Sequence, residues 1–530
     1  MQRRAFLTAV GSGWLLDGVL PGRRAIAGRV VGASMQAGHR LRDGAALPAV
    51  EPSERADVVI VGGGVSGLAA AWRLGAAGLD VRVLELEPFL GGTSAAGRDG
   101  VVPYPWGAHY LAAPNPGARA ALRLLEELGV LRGWDAAGNP RFDPRVLCHA
   151  PDERLFYRGA WHAGLVPADA LEPAELAEVE RFHAVERALS ERVGRDGRAA
   201  FQIPVSDSSR DPELLALDTM TMAEWLEREG FRSPFLRWYV RYALLDDFGG
   251  EPSQVSAWAG LHYFASRKVR TPELEGSHFL VWPEGNGFLV EAMARRSGAR
   301  LQTGALVHAV HQGPGEVAVD WLDLASGRNR RLAGRALVLA VPAFVCRRLV
   351  PEAAPRLPSR VASPWLVANL HVERPFDPDL AWDSVLHEGA GLGYVDAGHQ
   401  RTAPSDRTVL TYYRAWGGAD VSAARTRLAS AAWPELADLV LADLTAPHPD
   451  LREELARMDL MVWGHAMPRP VPGFLGAQPF DTEPRLGERI AWAHVDQTGM
   501  ALFEEAQARG VRAAEALAAP LSLDLGPTWL

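Results

Sequence analysis

The stretch that decides the fold runs from residue 57 to residue 85 and reads DVVIVGGGVSGLAAAWRLGAAGLDVRVLE. It opens with a β-branched run, as found in parallel strands that are buried on both faces. A glycine-rich turn follows, and residues 68–78 read as a helix that ends at a C-cap glycine. Residues 80–85 form a second strand-like run. The stretch therefore predicts a strand–helix–strand unit of a parallel sheet.

The glycines at 62–67 give this unit the dinucleotide-binding pattern G-x-G-x-x-G. Gly62 permits the tight turn, Gly64 lets a pyrophosphate approach the backbone, and Gly67 lets the helix lie close to the strand. The first helical amides and the helix dipole then face the phosphates. Glu85 is placed to accept hydrogen bonds from ribose hydroxyls, and its charge disfavours the 2′-phosphate of NADP. The pattern alone does not separate FAD from NAD.

Composition narrows the class of protein. The chain has 530 residues, of which 48% are hydrophobic and 22% are charged, and its net charge is −9. These values exclude a disordered or fibrous chain. The sequence has no long run of basic residues, so a nucleic-acid partner is not expected. Small-molecule partners are expected instead. Two cysteines, Cys148 and Cys346, are too few for a disulfide scaffold or a Cys-rich metal site, and no metal is expected.

Beyond Glu85, further motifs resemble the flavin-containing amine oxidase and phytoene desaturase superfamily, in that superfamily's order. Gly91-Gly92-Thr93 resembles its second glycine pair, and residues 490–496 (IAWAHVD) with the helix after them resemble its closing segment. The turn at 282–287 and the strand-like runs of 299–341 are similar to its middle region. The resemblance implies an α/β fold: a Rossmann-like FAD-binding domain, made of a parallel sheet plus an antiparallel meander, with an inserted α+β substrate domain.

The resemblance also implies FAD as the cofactor. Neither cysteine lies in the C-terminal segment where some relatives attach the flavin, so non-covalent FAD is expected. The fingerprint and the resemblance together place the cofactor contacts at Gly62, Gly64, Val65, Ser66, Gly67, Glu85, Gly91, Gly92, Thr93, Ala108, Val307, Asp496 and Ala501.

The predicted organisation is discontinuous. Its parts are a twin-arginine signal peptide at 1–27, an extended lead-in at 28–54, an FAD-binding domain at 55–112, 275–348 and 485–530, and a substrate domain at 113–274 and 349–484. The first substrate segment is helical in pattern, and the second supplies strand-like runs at 366–372 and 409–413.

Oxidation of a substrate by a flavin needs few protein groups: an apolar pocket at the reacting face of the ring and a group that stabilises the reduced ring. A helix starting near Thr498 is expected to supply that stabilisation through its amide end. His109, in a segment that resembles the one beside the flavin ring, is a candidate proton acceptor or else a core histidine. Trp463, His465 and Met467 are candidates for the substrate pocket or for plain core packing.

Two positions depart from the monoamine and polyamine oxidases of the superfamily. Their flavin-associated lysine aligns with Ala368 or Asn369 here, and Lys268 lies in a different segment. Their aromatic residue before the final helix is replaced by Leu502, which would border the same pocket. These departures make simple primary amine oxidation doubtful and weaken the case for rapid reaction with oxygen.

The N-terminus resembles a twin-arginine export signal. Arg3 and Arg4 precede Phe6-Leu7, a moderately apolar run follows, and Ala25-Ile26-Ala27 offers a cleavage site. The run is too short for a membrane span. A periplasmic or otherwise exported protein that folds around its cofactor before transport is therefore expected.

The sequence leaves three functions open. The leading one is an exported FAD-dependent oxidoreductase that oxidises an amine or polyamine-like substrate by hydride transfer to flavin N5 and passes electrons to oxygen or to a periplasmic or quinone carrier. The alternatives are desaturase-like dehydrogenation of a C–C bond in an apolar substrate, and an FAD-containing binding or assembly protein without turnover.

Overall fold

The computed structural model describes residues 26–530 except 33, 45, 99–101, 270–278, 375–376, 378, 402–404 and 477–483. The predicted twin-arginine motif and the apolar run after it therefore lie outside the described residues. Three sheets organise the described chain, and its helices pack on them.

The first sheet, called the parallel sheet, contains the predicted strand–helix–strand unit. Its five strands are parallel and lie in the order Arg300–Gln302, Val81–Leu84, Val58–Val61, Ala336–Leu339 and Ile490–Trp492. The helix Val65–Gly75 packs between this sheet, the helix Gly287–Ser297 and the long C-terminal helix Phe503–Ala516. Strands from three separated parts of the chain thus build one nucleotide-binding type of sheet.

The second sheet, the meander sheet, pairs Ala305–Gly313, Glu316–Asp323 and Asn329–Gly334 antiparallel in chain order. Val50–Arg55 adds a fourth strand parallel to Asn329–Gly334. The prediction of an extended lead-in at 28–54 is therefore incomplete. The segment contains the helix Met35–Arg42, and Ala27–Val30 before it forms the edge strand of the third sheet.

The third sheet, the large sheet, has eight strands, of which seven come from the predicted substrate segments and one, Ala27–Val30, comes from before them. In spatial order they are Ala27–Val30, Leu455–Arg469, Val361–Val372, Thr408–Ala415, Gly393–Asp396, Asp383–Leu386, Glu153–Tyr157 and Ala160–Ala163. Three two-stranded pairs complete the strands: Tyr110–Ala112 with Phe279–Val281, Ala96–Gly97 with Tyr104–Pro105, and Leu131–Trp134 with Pro140–Phe142.

The first substrate segment is not purely helical, since it contributes strands 153–157 and 160–163 to the large sheet. The helical pattern of this segment is present in the helices Pro173–Glu191 and Met222–Arg228, and the second has a capping box between Thr221 and Glu224. The remaining helices are Arg119–Glu127, Pro212–Leu215, Pro234–Phe248, Ala257–Ala265, Ala343–Leu349, Val421–Ser430, Trp433–Leu444, Leu451–Glu454 and Ala518–Leu521.

The last long helix begins later than predicted. The chain makes one short 3-10 turn at Val495–Gln497, and the helix starts at Phe503 rather than near Thr498. Gly499 adopts φ +80°, a left-handed conformation that interrupts a right-handed helix. The helix then packs closely on Val65–Gly75, because a Cβ at Gly510 would lie 2.1 Å from the carbonyl oxygen of Ser66.

Candidate functional site

The glycine-rich turn has the geometry that its three spaced glycines predict. Gly62 adopts φ +102°, and a Cβ there would lie 2.3 Å from the carbonyl oxygen of Ala340. A Cβ at Gly67 would lie 1.9 Å from the carbonyl oxygen of Gly62, so this glycine sets the close contact of helix and strand. A Cβ at Gly64 meets nothing within 4 Å. Gly64 therefore borders open space at the N-terminus of the helix that contains Val65 and Ser66.

The second glycine pair closes the same space. The amide of Gly91 donates to the carbonyl of Gly63 at 2.8 Å, and Gly91 bridges to Gly64. Gly91 and Gly92 have φ values of +109° and +57°. The carbonyl of Thr93 accepts the amide of Ala108 at 2.9 Å, which brings the fingerprint and the segment around His109 together.

Glu85 lies where the fingerprint predicts an acidic residue. Its Oε2 accepts the Gly63 amide at 2.6 Å and its Oε1 accepts the Glu87 amide at 2.8 Å. Burial raises the pKa of Glu85 to about 7, although these backbone hydrogen bonds oppose the shift. A ribose hydroxyl that donates to this carboxylate would favour its charged form.

Asp496 is buried at the end of the closing strand. Its Oδ2 accepts the Ala343 amide at 2.8 Å and lies 3.3 Å from His494 Nδ1. The pKa of Asp496 lies below its usual value. Burial alone would raise this pKa, but the charge and hydrogen bond of His494 and the hydrogen bond from the Ala343 amide lower it by more. Arg360 binds the backbone of this loop, donating from Nε to the Asp496 carbonyl at 2.9 Å. Ala501 and Leu502 follow, and Leu502 is the N-cap residue of the last helix.

These residues fit a dinucleotide cofactor. Open space in front of Gly64 is bounded by glycines that bring backbone rather than side chains to it, as a pyrophosphate requires. Val307, predicted at the adenine, is buried at a register irregularity of the meander sheet. The predicted contact positions thus lie on the parallel sheet, on the meander sheet and at the last helix.

His109 belongs to a short run that we call the central segment, residues 105–109. Its ring stacks on Tyr413, with centroids 4.7 Å apart, and also lies near Tyr110 and Trp382. Burial lowers the pKa of His109 to about 4, against the opposing effect of the Gly107 backbone. His109 is therefore neutral at physiological pH.

Of the two residues predicted at the lysine position of the amine oxidases, Ala368 and Asn369, only Asn369 faces the central segment. Asn369 Nδ2 donates to the Pro105 carbonyl of the central segment at 3.1 Å, whereas Ala368 packs in the cluster on the opposite face of the large sheet. Thr411 donates to Asn369 Oδ1 at 2.7 Å. A neutral amide thus faces the central segment where the resemblance implies a cation.

The predicted pocket residues have different surroundings. Trp463 is buried, and its indole N–H donates to the Trp106 carbonyl at 2.7 Å. Met467 packs against the same hydrophobic cluster. His465 is exposed and stacks on Phe344 at 4.6 Å between centroids, so it is not among the buried side chains around His109.

Sequence reasoning missed three carboxylates that act electrostatically on one another, which we call the acidic cluster: Glu153, Asp246 and Asp383. Glu153 and Asp383 are directly paired residues of neighbouring parallel strands, and Asp246 comes from the helix Pro234–Phe248. Burial and the neighbouring carboxylates raise the pKa of Asp383 well above its usual value. Burial also raises the pKa values of Glu153 and Asp246 to about 7.

The acidic cluster lies beside the aromatic side chains around His109. Burial raises the pKa of Tyr413 and Tyr110 well above the usual value, and the charges of Asp246 and Asp383 raise both further. Tyr242 donates only a long hydrogen bond to Asp383, at 3.4 Å. Within the described ranges, no side chain forms a hydrogen bond or ion pair with Glu153 or Asp246.

Like charges directly opposite each other destabilise a sheet, and a partly buried carboxylate without a partner is also unfavourable. The described residues therefore hold acidic groups that stability alone does not explain. No sequence pattern signals the cluster, because its members lie far apart in the chain and meet only through the pairing of the large sheet.

Comparison with known proteins identifies the family and agrees with the fold. The family profile "Flavin containing amine oxidoreductase" matches residues 65–518. The flavin-containing monoamine oxidase AofH of Mycobacterium tuberculosis is 28% identical over 316 residues, 58% of this chain and 61% of AofH, so less than two thirds of that relative is spanned.

Two solved structures share the fold. Wild-type putrescine oxidase bound to putrescine aligns with a TM-score of 0.63 at 18% identity, covering 88% of this chain and 100% of that one. Cyclohexylamine oxidase from Brevibacterium oxydans aligns with a TM-score of 0.63 at 19% identity, covering 89% and 100%. With the family profile matching most of its length, this chain belongs to the flavin-containing amine oxidoreductases, a family of FAD-dependent enzymes.

Proposed function

We propose that this protein is an exported oxidoreductase with non-covalent FAD, and that it oxidises an amine or polyamine-like substrate. When bound, FAD supplies the chemistry of accepting a hydride at N5 from the carbon next to the amine nitrogen. The observation that carries the proposal is the acidic cluster, whose Asp246 and Asp383 lie near Tyr110 and Tyr413, the two tyrosines that contact the ring of His109. An ammonium group would pair with Glu153 and Asp246, which form no ion pair with a described side chain, although the charge of Arg267 already acts on Asp246 from a distance.

The surroundings of the cluster suit a cation. Tyr413, Tyr110 and Trp382 provide aromatic faces near His109, and aromatic faces attract cations. Neutral His109 does not repel an ammonium. Arg267, a nearby cation, is held by Asp247 at 2.7 Å. The chain's residues would therefore bind and orient the amine, with the central segment against the flavin.

An apolar substrate fits less well. Dehydrogenation of a C–C bond in a lipid-like molecule would place hydrocarbon against these partly buried carboxylates, which is unfavourable. The desaturase-like alternative and the non-enzymatic alternative are kept as outcomes of the experiments.

The acidic cluster can be tested with Asp246→Asn and Asp383→Asn. We expect each variant to raise the KM for a diamine at least tenfold while FAD stays bound, because a neutral amide does not attract an ammonium. Asp396→Asn is the matched control, since Asp396 is a buried carboxylate that bonds Thr408 and Gly398. Unchanged KM values in both cluster variants would contradict amine binding at this place.

Export and the electron acceptor belong to the same proposal. Replacing Arg3 and Arg4 with lysines should leave an FAD-containing protein in the cytoplasm, and unchanged export measured by cell fractionation would exclude a twin-arginine signal. We further propose that a quinone or another periplasmic carrier, rather than oxygen, accepts the electrons. Asn369 supports this, since it provides no positive charge where relatives have a lysine.

A further inference from the structure

Three consecutive carbonyl groups of the central segment are held by side chains of the large sheet. Asn369 Nδ2 donates to Pro105 at 3.1 Å, Trp463 Nε1 to Trp106 at 2.7 Å, and the Tyr413 hydroxyl to Gly107 at 3.2 Å. All three donors are buried. The large sheet therefore contacts each of these residues in turn.

The three donors come from three adjacent strands. Tyr413 is paired with Val367 and Trp463 with Trp365, so both flank the strand that carries Asn369. They lie on the same face of the sheet, because positions two residues apart in a strand share a face. The pairing register of these three strands is therefore enough to bring the three donors together, without any contribution from a loop.

The cofactor-binding side holds the same segment through its backbone. The Ala108 amide donates to Thr93 at 2.9 Å, and the Ala108 carbonyl accepts the amide of Asn286 at 3.0 Å. The Trp106 amide donates to Ala95 at 2.8 Å. The segment thus lies between the two parts of the protein, bonded to both.

We propose that Asn369, Tyr413 and Trp463 are positioning residues, through which the large sheet fixes where Ala108 and His109 lie against the flavin. Residues 106–109 belong to no strand, so no neighbouring strand donates hydrogen bonds to their carbonyl groups. Side chains donate these hydrogen bonds instead. Tyr413 has a second contact, the stacking of its ring on His109. This inference rests on the proposed function only for its kinetic consequence.

The test uses FAD-loaded Tyr413→Phe and Trp463→Phe, which remove one donor each and keep an aromatic ring. We expect amide hydrogen exchange in residues 106–109 to become at least fivefold faster. A segment whose carbonyl has lost its hydrogen-bond donor is held less firmly, so its amides open to solvent more often. We also expect flavin reduction by substrate to slow three- to tenfold, with a larger change in the reduction rate than in KM.

Tyr412→Phe and Trp433→Phe are the matched controls. Tyr412 bonds Asp443 on the opposite face of the sheet at 2.5 Å, and Trp433 bonds the Met458 carbonyl at 2.9 Å. Exchange at 106–109 that is unchanged in the test variants, or equally faster in the controls, would overturn the inference. If no amine reduces the wild-type flavin, the proposed function fails while the exchange measurement still decides this inference.

Discussion

Replacing Gly64 separates cofactor binding from folding. Gly64 has φ −74° and ψ −177°, an extended conformation that alanine also adopts, and a new Cβ meets nothing within 4 Å. The loss of a glycine N-cap and the gain from a less flexible unfolded chain are each about 1 kcal/mol or less and oppose each other. The stability of apo Gly64→Ala should therefore stay within about 1 kcal/mol of wild type.

The same methyl group would enter the space reserved for the pyrophosphate. Overpacking costs about 1 to 3 kcal/mol, which corresponds to a roughly 5- to 150-fold weaker FAD affinity. Gly67→Ala is the contrasting variant, because its Cβ would lie 1.9 Å from the Gly62 carbonyl oxygen and should destabilise the fold itself.

The assay is FAD content after gel filtration, with thermal unfolding of the apo proteins. Wild-type FAD affinity in Gly64→Ala would refute the assignment of this loop to the pyrophosphate. Unfolding of Gly64→Ala as severe as that of Gly67→Ala would refute the geometric reasoning.

Two further predictions concern charge. Burial raises the pKa of Asp246 from 3.8 to about 7, so the folded state retains a proton that the unfolded state loses, and stability falls as pH rises through that window. Asp246→Asn should therefore raise the melting temperature more at pH 8 than at pH 5. The gain in the free energy of unfolding should be on the order of 1 to 4 kcal/mol. A gain at pH 8 that is equal to or smaller than the gain at pH 5 would contradict this prediction. In Asn369→Lys the new lysine would lie beside the buried Asp459. Its positive charge should make oxygen reoxidise the reduced flavin about tenfold faster or more, as measured by stopped flow. Rapid reoxidation of the wild-type flavin by oxygen would contradict the proposal that a carrier accepts the electrons.

The nucleotide-binding part could be predicted because its signals are local. Gly62, Gly64 and Gly67 are close in sequence, and their spacing alone fixes a turn and a close helix contact. The closing helix was placed too early because Gly499 interrupts the chain, and one glycine in a sequence does not reveal its φ.

The substrate part could be predicted only in outline. The acidic cluster depends on the register that pairs Glu153 with Asp383, two residues that nothing in the sequence connects. The hydrogen bonds from Tyr413 and Trp463 to the central segment depend in the same way on which strands become neighbours. Long-range pairing of this kind leaves no periodic pattern along the chain.

The most direct test of amine oxidation is anaerobic mixing of the purified yellow protein with a panel of monoamines, diamines, amino acids and polyenes. The account predicts that a diamine or polyamine bleaches the flavin absorption fully, with one equivalent of substrate consumed for each flavin, and that polyenes leave it unchanged. Bleaching by a polyene alone, or an unchanged spectrum with every amine, would contradict it.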